Sequence, residues 1–143
     1  MESLDAVLAA FDLFQNAFRS LEAVERITFE AIEDAALDNV ALLELRFSPG
    51  FMAQPVQLDW DAMMQAILRG VQRATHQYDI LVGLIAIVSR SLGPKSARET
   101  VAFALNWRSD LVGFDLADAE DAWPAKDFAQ EIKPLHAIDM PIT

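Results

Sequence analysis

Apolar residues recur every three or four positions along the first 38 residues, a spacing that predicts two helices. The apolar stripe of the first helix consists of Leu4, Val7, Leu8, Phe11 and Phe18. Ser20 follows a break at Arg19 and is a typical N-cap for the second helix. We expect the second helix to end at Asp38-Asn39. Its predicted buried face is Val24, Ile27, Ala31 and Ala35, and its predicted water-facing acids are Glu22, Glu25 and Glu33.

Short apolar runs follow, and helical patterns separate them. The runs are 40–47, 80–88 and 111–117, and residues 140–143 begin another. Runs of this length between turn residues are typical of buried strands. Asp59 is placed to cap the first intervening helix, Ser96 and Glu99 form a capping box for the second, and Trp123-Pro124 leads into the third. The expected buried residues of the three helices are Trp60, Met63, Met64, Ile67 and Val71; Ala102, Phe103 and Trp107; and Phe128, Ile132 and Leu135.

This alternation of strand and helix predicts parallel strands with right-handed crossovers, which is an α/β fold. A doubly wound sheet and a (β/α)8 barrel both fit the pattern. A complete barrel needs about 250 residues, so four strands would form about half of one. We expect a single segment over residues 1–143, with helices over 1–38 and strand–helix repeats over 40–143.

Composition narrows the possible functions. The chain has 143 residues, no cysteine and a formal net charge of −11. Without cysteine there is no disulfide scaffold, thiolate metal site or cysteine nucleophile. The acidic balance argues against binding to nucleic acid or to an anionic membrane. Because the start of the sequence lacks the basic region of a signal peptide, we expect a cytoplasmic protein.

Polar side chains interrupt the apolar strands near their carboxyl ends, where α/β proteins carry their chemistry. These residues are Glu44, Arg46 and Ser48 on the first strand, Ser89 and Arg90 on the second, and Asp115 on the third. A charge inside a buried strand is costly unless it is paired. One explanation is a structural ion pair, Glu44 with Arg90 or Arg46 with Asp115. As a set, the residues predict a polar pocket at this edge.

Candidate catalytic groups are few. The two histidines, His76 and His136, are expected at helix surfaces or ends, and no metal-binding motif is present. The serines at 48, 89 and 91 have no histidine nearby to act as a base. The acidic stretch 118–121 is expected to be a solvated loop.

Three segments nevertheless resemble the adenosine deaminase family, especially its bacterial branch. They are 43–49 (Leu-Glu-Leu-Arg-Phe-Ser-Pro), 89–90 (Ser-Arg) and 113–117 (Gly-Phe-Asp-Leu-Ala). The resemblance runs from about residue 4 to the last residue. It implies a zinc-dependent (β/α)8 barrel that hydrolyses adenosine or deoxyadenosine to inosine or deoxyinosine and ammonia. In such enzymes zinc lowers the pKa of the attacking water, a glutamate protonates the purine ring and a histidine handles the water proton.

The resemblance also implies roles for residues of this chain. Leu4, Val7, Leu8 and Phe11 match an apolar lid helix over the nucleoside pocket, and Arg46, Ser48 and Arg90 match strand-end positions around it. Asp115, Ala117 and Asp118 match the third strand end, where Asp118 replaces a family glycine that lies against the purine. A side chain there is expected to obstruct the base. The next acid of the family motif is Ala119 in this chain.

The zinc ligands and acid–base groups of the family are not matched. Its His-x-His precedes the segment matched here, and its His-Ala-Gly-Glu follows the strand that residues 140–143 begin. We therefore expect strands two to five of the barrel. We also expect the chain alone neither to bind zinc tightly nor to deaminate adenosine, although it would contact a purine nucleoside if the missing segments completed the site.

Two other interpretations stay open. One is a non-catalytic binding or assembly module derived from the same fold. Four strands leave two open edges and an uncovered face, which predicts a homo-oligomer or pairing with a complementary half-barrel. The other is a complete small flavodoxin-like domain, which leaves the Leu-Arg-Phe-Ser-Pro segment unexplained.

Overall fold

The computed structural model describes residues 13–143, and the predicted stripe at Leu4, Val7, Leu8 and Phe11 lies outside them. Residues 13–15 are helical. The helices that follow are α1 (Leu21–Leu37), α2 (Pro49–Ala53), α3 (Trp60–Gln77), α4 (Gly93–Asn106) and α5 (Ala129–His136). The strands are β1 (Leu42–Phe47), β2 (Leu81–Ser89) and β3 (Gly113–Ala117). Short 3-10 turns at Arg90–Leu92 and Ala125–Phe128 precede α4 and α5.

The three strands form one parallel sheet in the order β1-β2-β3. Beside β3, Ile142 forms a single parallel bridge with Phe114, so the predicted fourth strand begins to pair where it was expected. The predicted α/β alternation is therefore confirmed, although each strand begins one or two residues later than the apolar run. Of the described residues, no helix combines the length and the hydropathy needed to cross a membrane.

Alternate side chains of the sheet point to opposite faces, as in any strand. One face packs against the helices through Phe47, Leu84, Ala86, Val88, Phe114 and Leu116, and the main core lies there. We call the opposite face the inner face. It carries Leu42, Glu44 and Arg46 of β1; Leu81, Gly83, Ile85, Ile87 and Ser89 of β2; and Gly113, Asp115 and Ala117 of β3.

Helix α1 begins as predicted, because the Ser20 hydroxyl accepts a hydrogen bond from the backbone N–H of Ala23. Of its predicted buried face, Val24 is buried and Ile27, Ala31 and Ala35 are half-buried, while Thr28 and Ile32, which were not predicted, are buried as well. The reason is the contact with α3 at Gly70, where an added Cβ would lie 2.6 Å from the Glu25 carbonyl and 2.8 Å from Thr28 Cβ. Thr28 tolerates burial because its hydroxyl donates to the Val24 carbonyl at 2.9 Å.

Two of the acids predicted to face water instead lie along the contact between α1 and α3. Glu25 accepts hydrogen bonds from Arg69 at 2.8 Å and from Arg73 at 2.9 Å, and these arginines lower the pKa of Glu25. Glu33 accepts a hydrogen bond from the Tyr78 hydroxyl, which raises the pKa of Tyr78. The side of α1 that meets α3 is therefore charged as well as apolar.

The capping box predicted at Ser96 is wrong. Helix α4 begins three residues earlier, at Gly93, and Leu92 at its N-cap makes no side-chain hydrogen bond. Gly93 has φ 76°, which suits glycine, and Pro94 in the first turn loses no helical hydrogen bond. Within α4, Phe103 is buried as predicted, Trp107 at the C-cap is half-buried, and Ala102 is exposed rather than buried.

The other two predicted helices agree with the structure. Asp59 caps α3, because its carboxylate accepts from the backbone N–H of Ala62 at 2.8 Å. Met63, Met64 and Ile67 are buried there, while Trp60 and Val71 are half-buried. Phe128 and Leu135 are fully buried at α5, and Ile132 is half-buried.

Candidate functional site

A cavity of about 540 Å³ lies where the carboxyl ends of the three strands meet on the inner face. This is the edge at which the sequence predicted a polar pocket. Its volume falls within the range of about 300–1,000 Å³ typical of small-molecule sites. The lining residues are Arg46, Ser48, Phe51, Gln54, Ile87, Ser89, Ser91, Leu92, Ala117 and Asp118.

Arg46 and Asp115 form an ion pair across this edge, as the sequence predicted. Because β2 lies between β1 and β3, the long Arg46 side chain crosses it to reach Asp115. The Arg46 side chain is 50% exposed, whereas that of Asp115 is 7% exposed. The Asp115 Oδ1 atom accepts from the backbone N–H of Leu116 at 2.7 Å. Arg46 thus neutralises a buried carboxylate while its own side chain lines the cavity.

Ser48 and Ser89 join the first two strand ends. Their hydroxyl oxygens lie 2.9 Å apart in a hydrogen bond. The Ser48 hydroxyl also accepts from the backbone N–H of Phe51 at 3.4 Å and so caps the short helix α2. Ser48 and Ser89 both line the cavity, and the substrate-contact role that the resemblance implies for Ser48 stays a prediction.

Arg90, for which the resemblance implies a strand-end position around the pocket, is not among the residues that line the cavity. Its side chain is buried and donates twice to the Leu116 carbonyl, from Nε at 3.2 Å and from Nη2 at 3.0 Å. Nη1 donates to the Trp123 carbonyl at 3.1 Å and lies 3.4 Å from the Glu120 carboxylate. A buried guanidinium needs such acceptors for its five N–H groups. Arg90 therefore holds the loop after β3, and the predicted pair with Glu44 is wrong.

Asp118 lies at the cavity in a backbone conformation unusual for its residue type, with φ 90°. Its Oδ1 atom accepts from the backbone N–H of Ala119 at 2.7 Å. Its Oδ2 atom accepts from the backbone N–H of Ser91 at 3.2 Å and from the Ser91 hydroxyl. The carboxylate thus occupies part of the cavity wall and links the loops that follow β2 and β3.

The acidic stretch 118–121 is largely the solvated loop that the sequence predicted. Glu120 is 74% exposed beside the Arg90 guanidinium and Asp121 is exposed, whereas Asp118 is half-buried and hydrogen-bonded. The sequence also missed several lining residues: Phe51, Gln54, Ile87 and Leu92. Phe51 lies in the short helix α2 and Gln54 is its C-cap, and a helix of this length is too short for periodicity to place a side chain on a particular face.

The described residues do not fit a zinc ion. Within 13–143, no group of three or more histidine, aspartate or glutamate side chains is arranged to hold a metal. His76 in the last turn of α3 and His136 at the end of α5 are both exposed, and neither lines the cavity. Among residues 13–143, the titratable side chains that line the cavity are Arg46 and Asp118.

Comparison with known proteins connects this geometry to a family. Residues 1–137 match the family described as Adenosine deaminase. A curated adenosine deaminase from Shewanella loihica is 32% identical over 141 residues, which are 99% of this chain and 43% of that protein. The chain therefore spans less than half the length of this relative.

Solved structures give the same correspondence. Arabidopsis ADAL, solved in complex with GMP, superposes with a TM-score of 0.82 and 30% identity over 98% of this chain and 43% of its own. A zinc-bound amidohydrolase from Burkholderia ambifaria superposes with a TM-score of 0.80 over 85% of this chain and 34% of its own. At 23% identity the second likeness shows the fold alone. The predicted partial (β/α)8 barrel is thereby confirmed, and the doubly wound and flavodoxin-like alternatives are set aside.

Proposed function

We propose that this chain, which belongs to the adenosine deaminase family, forms one wall of a site that deaminates purine nucleosides. The reaction of that site is hydrolytic deamination of adenosine or deoxyadenosine to inosine or deoxyinosine. The observation that carries the proposal is the cavity of about 540 Å³ at the carboxyl ends of the strands. Enzymes with this barrel fold place their active sites at that edge.

The cavity offers suitable contacts for a nucleoside. Phe51 and Ile87 supply apolar surface for a flat purine ring, and the Ser48–Ser89 pair supplies hydroxyl groups that both donate and accept. Arg46 adds N–H donors, but its charge is already balanced by Asp115. These contacts bind and orient a ligand without activating water.

We further propose that the chain alone does not deaminate adenosine. The family reaction uses a metal-activated water and acid–base groups close to the purine. In the part of the chain that the structure describes, the titratable groups that line this cavity are a paired guanidinium and an aspartate held by three hydrogen bonds. Neither histidine of the sequence lies in the cavity wall.

The experiment is a spectrophotometric assay of adenosine conversion to inosine by the purified chain with added zinc. The expected rate equals that of a zinc-only blank, and equilibrium dialysis should show no tightly bound zinc. Turnover clearly above the blank would overturn the proposed inactivity. A matched preparation of the Shewanella loihica relative, assayed in parallel, shows that the conditions support catalysis.

An assembly role is the second candidate, favoured by the apolar side chains exposed on the inner face. Leu42 is 62% exposed, Leu81 is 68% exposed and Val112 is 48% exposed. Exposed apolar patches of this kind mark interaction surfaces. Under this alternative the chain binds other polypeptides and carries out no chemistry. A cytoplasmic location, expected from the sequence, stays a prediction.

A further inference from the structure

The inner face of the sheet has two chemically different ends. Its carboxyl end carries the Arg46–Asp115 ion pair and the cavity. At the opposite end, Leu42 pairs in register with Leu81, so these two exposed leucines are neighbours. Val112 lies over Gly83, the next residue after Leu81 on this face of β2, because an added Cβ at Gly83 would lie 2.7 Å from Val112 Cγ2. We call the surface formed by Leu42, Leu81 and Val112 the apolar floor.

The apolar floor adjoins unpaired backbone. Strand β1 pairs with β2 on one side, and among residues 13–143 no strand pairs with its other side. Next to β3, the pairing consists of the single bridge at Ile142. An open edge presents a row of N–H and C=O groups that are ready to pair with a further strand. A partner that fits here must therefore supply both strand edges and apolar side chains.

We propose that the apolar floor and the free edge of β1 bind the complementary barrel segment, namely the polypeptide that family members carry outside the region matched here. The inference rests on the proposed function. The matched region is 43% of the Shewanella loihica relative and 43% of the Arabidopsis structure, so more than half of each chain lies outside it. A barrel closes through strands that pair at both edges of the sheet and fill its interior with branched apolar side chains.

A second copy of the chain fits this surface less well. Two copies would each bring a formal net charge of −11 to the interface, which opposes association. A second copy could still present the free edge of its own β1, and the stoichiometry measured in the test below distinguishes such a dimer from the proposed complex.

The test mixes this chain with a separately produced polypeptide that comprises the part of the Shewanella loihica relative outside the match. Size-exclusion chromatography with light scattering gives the stoichiometry, and titration of a fluorescently labelled segment gives the affinity. The expected result is a one-to-one complex. Leu81→Glu should weaken it by about tenfold or more, because the new carboxylate would be buried without a partner.

Leu37→Glu is the matched control. Leu37, the last residue of α1, is 66% exposed, against 68% for Leu81, but it lies outside the sheet. Since both leucines are exposed, neither substitution should unfold the chain, and circular dichroism verifies this. Selective weakening by Leu81→Glu supports the proposal. Three results would overturn it: no complex, equal weakening by both variants, or a dimer of this chain that Leu81→Glu disrupts and that excludes the segment.

The same mixtures separate this inference from the proposed function. A complex that forms but does not convert adenosine in the presence of zinc would contradict the deaminase proposal and leave the docking surface standing. Absence of any complex would contradict the docking surface. Adenosine conversion that appears only in the mixture supports both.

Discussion

The backbone at Asp118 leads to a prediction about the order of stability of two variants. Its φ of 90° lies in the region that glycine adopts freely and other residues adopt at a cost. Alanine in such a left-handed conformation costs about 1–2 kcal/mol relative to glycine. Glycine also loses more chain entropy on folding, which normally makes alanine better by about 0.5–1 kcal/mol. At this position the strain is the larger effect, so Asp118→Gly should be more stable than Asp118→Ala by about 1 kcal/mol.

Relative to the wild-type chain, both variants also lack the Asp118 carboxylate, and this lowers their stability further. Both variants lose the hydrogen bonds that Ser91 and Ala119 donate to Asp118. Each such bond contributes about 0.5–1.5 kcal/mol, toward the lower end at partly exposed sites. Asp118→Ala should therefore be about 2 kcal/mol less stable than wild type. In Asp118→Gly the relief of strain offsets about half of that loss and leaves the free energy of unfolding about 1 kcal/mol below that of wild type.

The assay is equilibrium unfolding in urea, followed by far-ultraviolet circular dichroism. Ala102, exposed within α4, provides the control for ordinary backbone. There, replacing alanine by glycine should lower the free energy of unfolding by about 1 kcal/mol. Equal stability of the alanine and glycine variants at position 118, with the control behaving as expected, would contradict backbone strain at Asp118.

Three further predictions concern charged and titrating groups. Arg90→Met leaves the carbonyl groups of Leu116 and Trp123 without the N–H donors of Arg90 and should lower the free energy of unfolding, measured in urea, by about 3 kcal/mol. The control Arg26→Met removes an exposed ion pair and should lower it by about 0.5 kcal/mol or less. Because arginines of α3 lower the pKa of Glu25, the stability from that contact is present above about pH 4.5 and is lost as the pH falls through the lowered pKa; Glu25→Gln should therefore flatten the acid limb of stability against pH. The hydrogen bond to Glu33 raises the pKa of Tyr78, so its stabilisation is present below about pH 10 and is lost as the pH rises through the raised pKa. Tyr78 is the single tyrosine of the sequence, so tyrosinate absorbance should titrate at lower pH in Glu33→Gln than in wild type.

Sequence patterns predicted those parts of the fold that depend on neighbouring residues. The caps at Ser20 and Asp59 follow from a side chain that satisfies backbone N–H groups a few residues ahead. The Arg46–Asp115 pair was also predictable, because both charges interrupt strands that must be buried and they end at the same edge of the sheet.

Other features depend on contacts between distant segments. The buried face of α1 is set by Gly70, 42 positions beyond Thr28, and periodicity within α1 carries no information about that contact. Arg90 has the same chemistry as Arg46, yet its acceptors are backbone carbonyls, which a sequence does not place in space. Ser96 fits a capping box locally, but Gly93 and Pro94 begin the helix earlier.

The hydrogen bonds at the carboxyl ends of the strands have a consequence for local unfolding. Ser48 bonds to Ser89, Ser91 bonds to Asp118, and Arg90 bonds to the Leu116 carbonyl, so each strand end is tied to the next. No comparable side-chain bonds tie the described amino ends together, where the exposed apolar floor begins. The sheet therefore opens first from its amino ends, and amide hydrogens there exchange with solvent before those beside the cavity. The candidate site stays assembled through fluctuations that already expose the opposite end of the same strands.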